Sequence, residues 1–256
     1  MVFHSTKKKV EYPILYINNV IIENIKTFNF LGLHINNNLT WDTHINHISL
    51  KISKIIGTMN RLKNVYPLHI LHMLYNSLIV PPINYCLIMW GFHSSRILIL
   101  QKRAVRTITN SWYRAHTEPI FKDLNILKVH DLYWLMVLKF YYKLKNNLLP
   151  QYFNVFLPKK SHGSIVYPIR NPQNQLPIIK HEYARNSFRC ELITITNTIN
   201  NSTVYSNILD KVYTHSLHGY SLYIKNKFLN NYNYECLTTN CYTCTHYRDM
   251  FLDANE

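Results

Sequence analysis

Phe28-Asn-Phe-Leu-Gly-Leu-His-Ile35, running into Asn38-Leu-Thr-Trp-Asp-Thr-His-Ile45, is where this chain changes its periodicity. The stretch reads as a strand, a turn, a tryptophan anchor and the start of a long helix. Upstream, residues 10 to 35 read as extended. Ile14, Tyr16 and Asn18 alternate with Leu15 and Ile17, Asn18-Asn19 suits a hairpin turn, and Val20-Ile21-Ile22 begins a second strand. Phe28 to Ile35 is expected as a third strand of the same small antiparallel sheet. Downstream, Ile45, Ile48, Ile52, Ile55, Ile56, Met59 and Leu62 recur at helical spacing and form one apolar stripe. Lys51, Lys54 and Arg61 fall on the opposite side of that helix at about 100° per residue.

Helical patterns dominate from there to residue 147. Pro67 stands where the first turn of the next helix begins, with Ile70, Leu71, Leu74, Leu78 and Ile79 as its apolar set. Pro81-Pro82 is expected to stop it, and Ile83 to Trp90 to resume. Leu98 to Thr109 reads as a basic helix. Thr117 followed by Glu118-Pro119 reads as a capped helix start. Val129 to Asn146 is another helix, ended by Asn146-Asn147 and Pro150. Pro150 to Pro177 holds five prolines and little pattern, so it reads as a linker or irregular loop. Helical character returns from Tyr183 to Asn200 and from Asp210 to Asn230. The expected fold is therefore mainly α, a multi-helix bundle behind a small N-terminal antiparallel β hairpin or sheet. Its divisions are residues 1–41 (strands), 42–149 (helical domain), 150–180 (linker), 181–232 (C-terminal helices) and 233–256 (a Cys-rich tail).

Composition bounds what such a chain can do. Its 256 residues are 47% apolar, enough for a core and too apolar for a disordered tail. Lys plus Arg number 28 against 13 Asp plus Glu, a formal charge of +15, which favours a polyanionic partner because each phosphate contact releases condensed counterions. The competing reading is a compositional bias toward Asn and Lys. Lys7-Lys8-Lys9 is followed by Val-Glu-Tyr-Pro and not by an apolar segment, so no secretory leader is read, and five Cys then suggest a reducing compartment. The most apolar region, Ile70 to Phe92, is interrupted by His72, Asn76, Pro81, Pro82 and Asn84 and makes a poor bilayer span. An intracellular protein of the cytoplasm or nucleus, without a membrane partner, is expected.

Three constellations carry chemistry. In Gln101-Lys102-Arg103-Ala104-Val105-Arg106 the three cations share one helix face, and Arg forks match phosphate oxygens. An ordinary solvated helix face is the alternative. Trp112-Tyr113-Arg114 and Tyr141-Tyr142-Lys143 interleave aromatics with cations, as base-stacking surfaces do. Core packing is the competing reading for Tyr141, and an anchored loop for Trp112. In the tail, Cys241 and Cys244 have the spacing that lets two thiolates reach one zinc ion, with Cys236 as a third ligand and His246 as an awkward fourth. A plain reduced thiol cluster is the alternative. Phosphoryl-transfer chemistry needs clustered carboxylates to hold two metal ions, and Asp42, Asp123, Asp131 and Asp210 are isolated in the sequence. Asp249 and Asp253 lie in the tail without a strand-turn-strand context. Only five Gly are present and no phosphate-binding Gly-rich loop.

Taken in order, these segments resemble the C-terminal half of the reverse transcriptases of non-long-terminal-repeat retrotransposons, of the jockey-like kind. Phe30-Leu31-Gly32 resembles the family's primer-grip hairpin. Leu39, Trp41, His44-Ile45, Lys51-Ile-Ser-Lys-Ile-Ile-Gly57 and Arg61-Leu62 look like the first thumb helix. Leu74 to Pro81, Tyr85-Cys86, Trp90-Gly91, Gln101 to Arg106 and Ala115 to Phe121 look like its continuation, as do Leu124 to Leu127 and Asp131-Leu132. Arg170-Asn-Pro, Leu176-Pro177, Lys180-His181-Glu182 and Ala184-Arg185 look like the region behind the thumb. Met1-Val-Phe-His4 looks like the strand that closes the palm. The resemblance implies that the Tyr-x-Asp-Asp-type catalytic turn lies before residue 1. The chain is then expected to be a truncated polymerase that grips RNA or an RNA–DNA template and primer but is inactive alone. Lys51, Lys54, Arg61, Lys102, Arg103 and Arg106 are the expected phosphate contacts, and Phe30, Leu31 and Gly32 the primer-grip-like residues. No cofactor is expected for the chain itself, zinc being the metal the tail would take and magnesium belonging to the intact enzyme. A helical protein-interaction module, or a decayed gene fragment, are the alternatives in other classes.

Overall fold

The computed structural model describes residues 1–4, 14–156, 187–202, 205 and 207–232. Two short hairpins come first. β1 (Tyr16–Ile17) pairs antiparallel with β2 (Val20–Ile21), and β3 (Thr27–Phe30) with β4 (Leu33–Asn36). Asn18 and Asn19 both take positive φ (50° and 62°), the left-handed pair that lets a two-residue turn follow the twist of its strands. Phe28–Ile35 is not one strand, as its pattern suggested. Leu31 and Gly32 take φ of 49° and 86° and fold it back on itself, with Phe28 opposite Ile35 and Phe30 opposite Leu33. The two hairpins form separate two-stranded sheets. Met1–His4 makes no ladder either; the His4 N–H donates to Asn37 O (3.1 Å) and the two side chains meet at 3.0 Å.

Beyond Trp41 the described chain is helical, as its 3.6-residue spacing dictates. α1 (Asp42–Leu62) buries Ile45, Ile48, Ile52, Ile56 and Met59 against α5 (Ser95–Ile108), whose inner face carries Ile97, Ala104, Val105 and Ile108. Between them, α2 (Leu68–Leu74), a π-helical segment (Tyr75–Ile79) and α3 (Val80–Asn84) run on without a break. Pro81-Pro82 therefore does not end the helix at residue 80. In the wide turn the Val80 N–H reaches back five residues to Tyr75 O, and the loosened ladder gives room for rings that would otherwise clash with carbonyls one turn earlier. The break comes at Cys86, which takes φ of 49° before α4 (Leu87–Trp90).

α6 (Thr117–Asp123), α7 (Val129–Lys145), α8 (Phe188–Asn201) and α9 (Leu217–Asn230) complete the bundle, with α7 central: α4, α5, α8 and α9 all pack on it. Asparagine ends three helices of the bundle, α5, α6 and α7. Asn110, Asn125 and Asn147 adopt φ of 49–55°, and the residue after each donates its N–H five back, to Arg106 O, Phe121 O and Lys143 O (2.9 Å each). That is the Schellman closure usually made by glycine, and in a chain with five Gly the abundant Asn supplies it. The start of the expected linker is also structured. Gln151–Phe156 forms a 3-10 turn whose Phe153 and Phe156 meet Phe140, and Phe188 of α8 stands edge-on to Phe140 at 4.8 Å. Aromatic burial there outweighs the proline-rich context.

Gly91, which follows α4, is buried against Tyr133 of α7. A Cβ at that position would lie 2.5 Å from Tyr133 Cδ2 and 3.0 Å from Leu87 Cδ1, inside a buried contact. Gly91→Ala is expected to cost about 1–3 kcal/mol through overpacking. Chemical denaturation checks it, and an unchanged midpoint would show that Tyr133 can step aside.

Candidate nucleic-acid interface

The cationic residues of α1 stand in a single row. Lys51, Lys54 and Arg61 are exposed, lie within one face at helical spacing, and make no ion pair with any described residue. The opposite face of the helix is the buried stripe, so the row is fixed outward by the core itself. α5 packs beside α1, and Arg96 Nη1 donates to Asn46 Oδ1 across the pair.

The three cations of α5 are not equivalent. Arg103 is exposed. Lys102 is half-buried and close enough to His130 to help lower its pKa, an effect led by burial of the imidazole. Arg106 is half-buried, and its Nε donates to Ala115 O at 2.9 Å; burial pulls its pKa down. One nitrogen of its fork is thus spent on holding the loop after α5, leaving its terminal nitrogens for an acceptor such as phosphate. That loop carries Trp112 and Tyr113, with Arg114 Cζ 5.1 Å from the centre of the Tyr113 ring. The loop is anchored, but not by Trp112, which is 55% exposed. Tyr141 is only partly buried, with Lys145 Nζ 5.5 Å from its ring centre, and burial first pushes its pKa up to about 12.

The hairpin tip is held from below. Tyr85, at the end of α3, donates its hydroxyl to Leu31 O, and a Cβ on Gly32 would lie 3.7 Å from Tyr85 Cε1. Phe30 and Leu31 point into solvent, Leu31 at 78% exposure. Phe30, Leu31 and Gly32 therefore form a projecting tip docked on the helical unit, distinct in position from the α1 and α5 cations in the sequence. Cys236, Cys241, Cys244 and His246 lie outside the described residues. Among the described residues no group of three or more His, Cys, Asp or Glu could hold a metal ion, and no helix is long and apolar enough to cross a membrane.

Three polar devices escaped the reading of the sequence. Gln101, quoted there as part of a basic helix, is buried and joins three elements. Its Nε2 donates to Tyr75 Oη and Leu127 O (2.8 Å each), while Oε1 accepts the Val129 N–H at 2.9 Å. Ser94 Oγ and His130 Nδ1 meet at 3.0 Å under the start of α7. Tyr232 accepts the Lys128 N–H (2.9 Å) and donates to Asp131, while Lys128 Nζ sits 2.5 Å from Glu118 Oε1. Asp131, read as polar punctuation at a helix start, is thus tied to the far end of the chain; burial raises its pKa. A further signal was present in plain text. Between Asp42 and Glu118 the sequence holds nine Lys and Arg and not one Asp or Glu, so α1 beyond its first residue, α5 and the loop after it carry no acid of their own.

No family model matches the chain, and no solved structure matches it. A curated protein does: it is 26% identical over 126 residues to the RNA-directed DNA polymerase from mobile element jockey of Drosophila melanogaster, over 46% of this chain. The matched part spans 14% of that protein's length. The likeness is distant and partial, and it supports a relationship to a retrotransposon reverse transcriptase.

Proposed function

We propose that this chain grips RNA, or an RNA–DNA template and primer, through the phosphate backbone as a reverse-transcriptase-related thumb. The observation that carries the reading is the outward row Lys51, Lys54 and Arg61, inside a 42-to-118 interval without internal acid. Uncompensated cations on one rigid helix face meet a phosphate ladder without having to break ion pairs first, and each contact releases a counterion. Arg103 and the terminal nitrogens of Arg106 add contacts on the neighbouring helix. Phe30, Leu31 and Gly32, on the tip propped by Tyr85, act as the primer-grip-like element in this reading. Polymerisation and its magnesium would belong to an intact enzyme, and the site of action to the cytoplasm or nucleus.

The test is salt-dependent binding of an RNA–DNA hybrid. Replacing Lys51, Lys54 and Arg61 together by Gln should leave the fold intact, because all three are exposed. It should lower the slope of log affinity against log salt by roughly 2–3. Affinity that is indifferent to ionic strength, or a slope unchanged by the triple substitution, would remove the proposal. Purified chain given primer, template and magnesium is expected to incorporate no nucleotide.

A further inference from the structure

The loop after α5 holds a feature that phosphate contacts do not explain. Trp112 and Tyr113 are 55% and 61% exposed, next to each other, at the end of a basic helix. Trp90 is fully buried, and Trp41 and Trp134 pack on the core. Leaving an indole and a phenol in water is unfavourable for the free protein, and the loop is not loose. Asn110 closes α5, Thr109 Oγ1 and Ser111 Oγ meet at 2.6 Å, the Ala115 N–H donates to Trp112 O at 2.9 Å, and Arg106 Nε clamps Ala115 O at 2.9 Å. Ala115 and Thr117 are buried at the loop's far end. Two aromatic rings are therefore held outward on a preordered support.

We propose that Trp112 and Tyr113 form a stacking site for an unpaired nucleobase, a proposal that rests on the nucleic-acid reading above. The ring centres are 4.9 Å apart with planes inclined at 51°, which hides less of each face than a parallel stack would. A base offers a flat π face to match. Arg114 lies over Tyr113 at 5.1 Å and brings a cation to where the phosphate of that nucleotide would run. Charge selects this occupant over an apolar peptide: Arg103, Arg106 and Arg114 surround the rings in the sequence, and the nearest acid in the chain is Glu118. A duplex keeps its bases stacked inside, so the site takes single-stranded nucleic acid, or the unpaired stretch beside a duplex.

Intrinsic tryptophan fluorescence of the full chain tests it, with short single-stranded oligoadenylate and an abasic oligomer of equal length as probes. Oligoadenylate should quench the emission and bind roughly tenfold more tightly than the abasic strand. Trp112→Ala should abolish both the quenching and the preference, and Trp112→Phe should restore the preference. The Lys51, Lys54, Arg61 triple variant should weaken both probes equally and leave their ratio unchanged. Equal binding of the two probes by the parent chain, or a preference that survives Trp112→Ala, overturns the stacking site while phosphate binding stands. If neither probe binds at low salt, the nucleic-acid reading falls and takes this proposal with it.

Discussion

Gln101→Ala is expected to lower the free energy of unfolding by roughly 3–5 kcal/mol. The amide is buried in the middle of α5 and uses both of its ends: Tyr75 Oη and Leu127 O each accept from Nε2, and the Val129 N–H donates to Oε1. Removing it leaves two backbone groups at the α6–α7 junction and a phenol without partners, each at about 1–3 kcal/mol when water cannot reach them. Burial already raises the Tyr75 pKa far above its ordinary value, against the opposing pull of the Gln101 bond. Gln101→Glu keeps an acceptor for Val129 but loses the donor to Leu127 and places a carboxyl in the core, so it should also be strongly destabilising. Urea denaturation of both variants is the measurement. A loss below about 1 kcal/mol for Gln101→Ala would mean that solvent enters and satisfies the stranded groups.

The same residue shows where the sequence stopped being legible. The helices of the bundle were readable because burial enforces a 3.6-residue stripe, and α1 and α7 begin where that stripe begins. Nothing local sets Gln101 apart from Lys102 and Arg103 beside it; only the positions of Tyr75 and Val129, tens of residues away, give its amide buried partners. Phe28–Ile35 misled for a related reason. A glycine after a leucine reads as part of a continuous apolar run, whereas the left-handed pair at Leu31 and Gly32 is held by the Gly32 N–H donating to Asn29 Oδ1 (3.1 Å) and by Tyr85, fifty residues on, donating its hydroxyl to Leu31 O. Pro81-Pro82 gave a local stop signal that the π turn overrides. At the candidate interface, the row on α1 followed from periodicity alone, whereas the unequal surroundings of Lys102, Arg103 and Arg106 depend on the loop that folds back to Ala115. The sequence left Trp112 between a stacking surface and an anchored loop, and the structure combines the two, an exposed indole on a loop held by Arg106 and Ala115.

Acid is expected to destabilise the fold by up to roughly 3 kcal/mol between pH 6.5 and 4, through His44. This imidazole is buried where the β3–β4 hairpin meets α1, edge-on to Trp90 at 5.6 Å and to Trp41 at 6.4 Å. Burial pulls its pKa down to about 4, and the nearby His34 and His47 add to the effect. The bonding explains why the neutral ring is required. His44 Nδ1 accepts the His34 N–H at 3.4 Å, so the ring's own proton sits on Nε2, which has no hydrogen-bond partner. A second proton would set Nδ1–H against the His34 N–H and put a charge between two indoles. Because the folded pKa lies below the unfolded one, the unfolded chain binds the extra proton first as pH falls. Stability is therefore complete above about pH 6.5 and is lost progressively toward pH 4. His72 and His130, whose pKa values burial also lowers, push in the same direction, while Asp131 and Glu191, raised by burial, oppose it at the acid end. Denaturation midpoints of the parent and of His44→Phe across this range separate the contributions. The variant loses the His34 acceptor and should be less stable at pH 7, yet flatter in its pH profile by most of that difference. Parallel profiles for the two proteins would place the acid sensitivity elsewhere and free the hairpin from any dependence on the charge of His44.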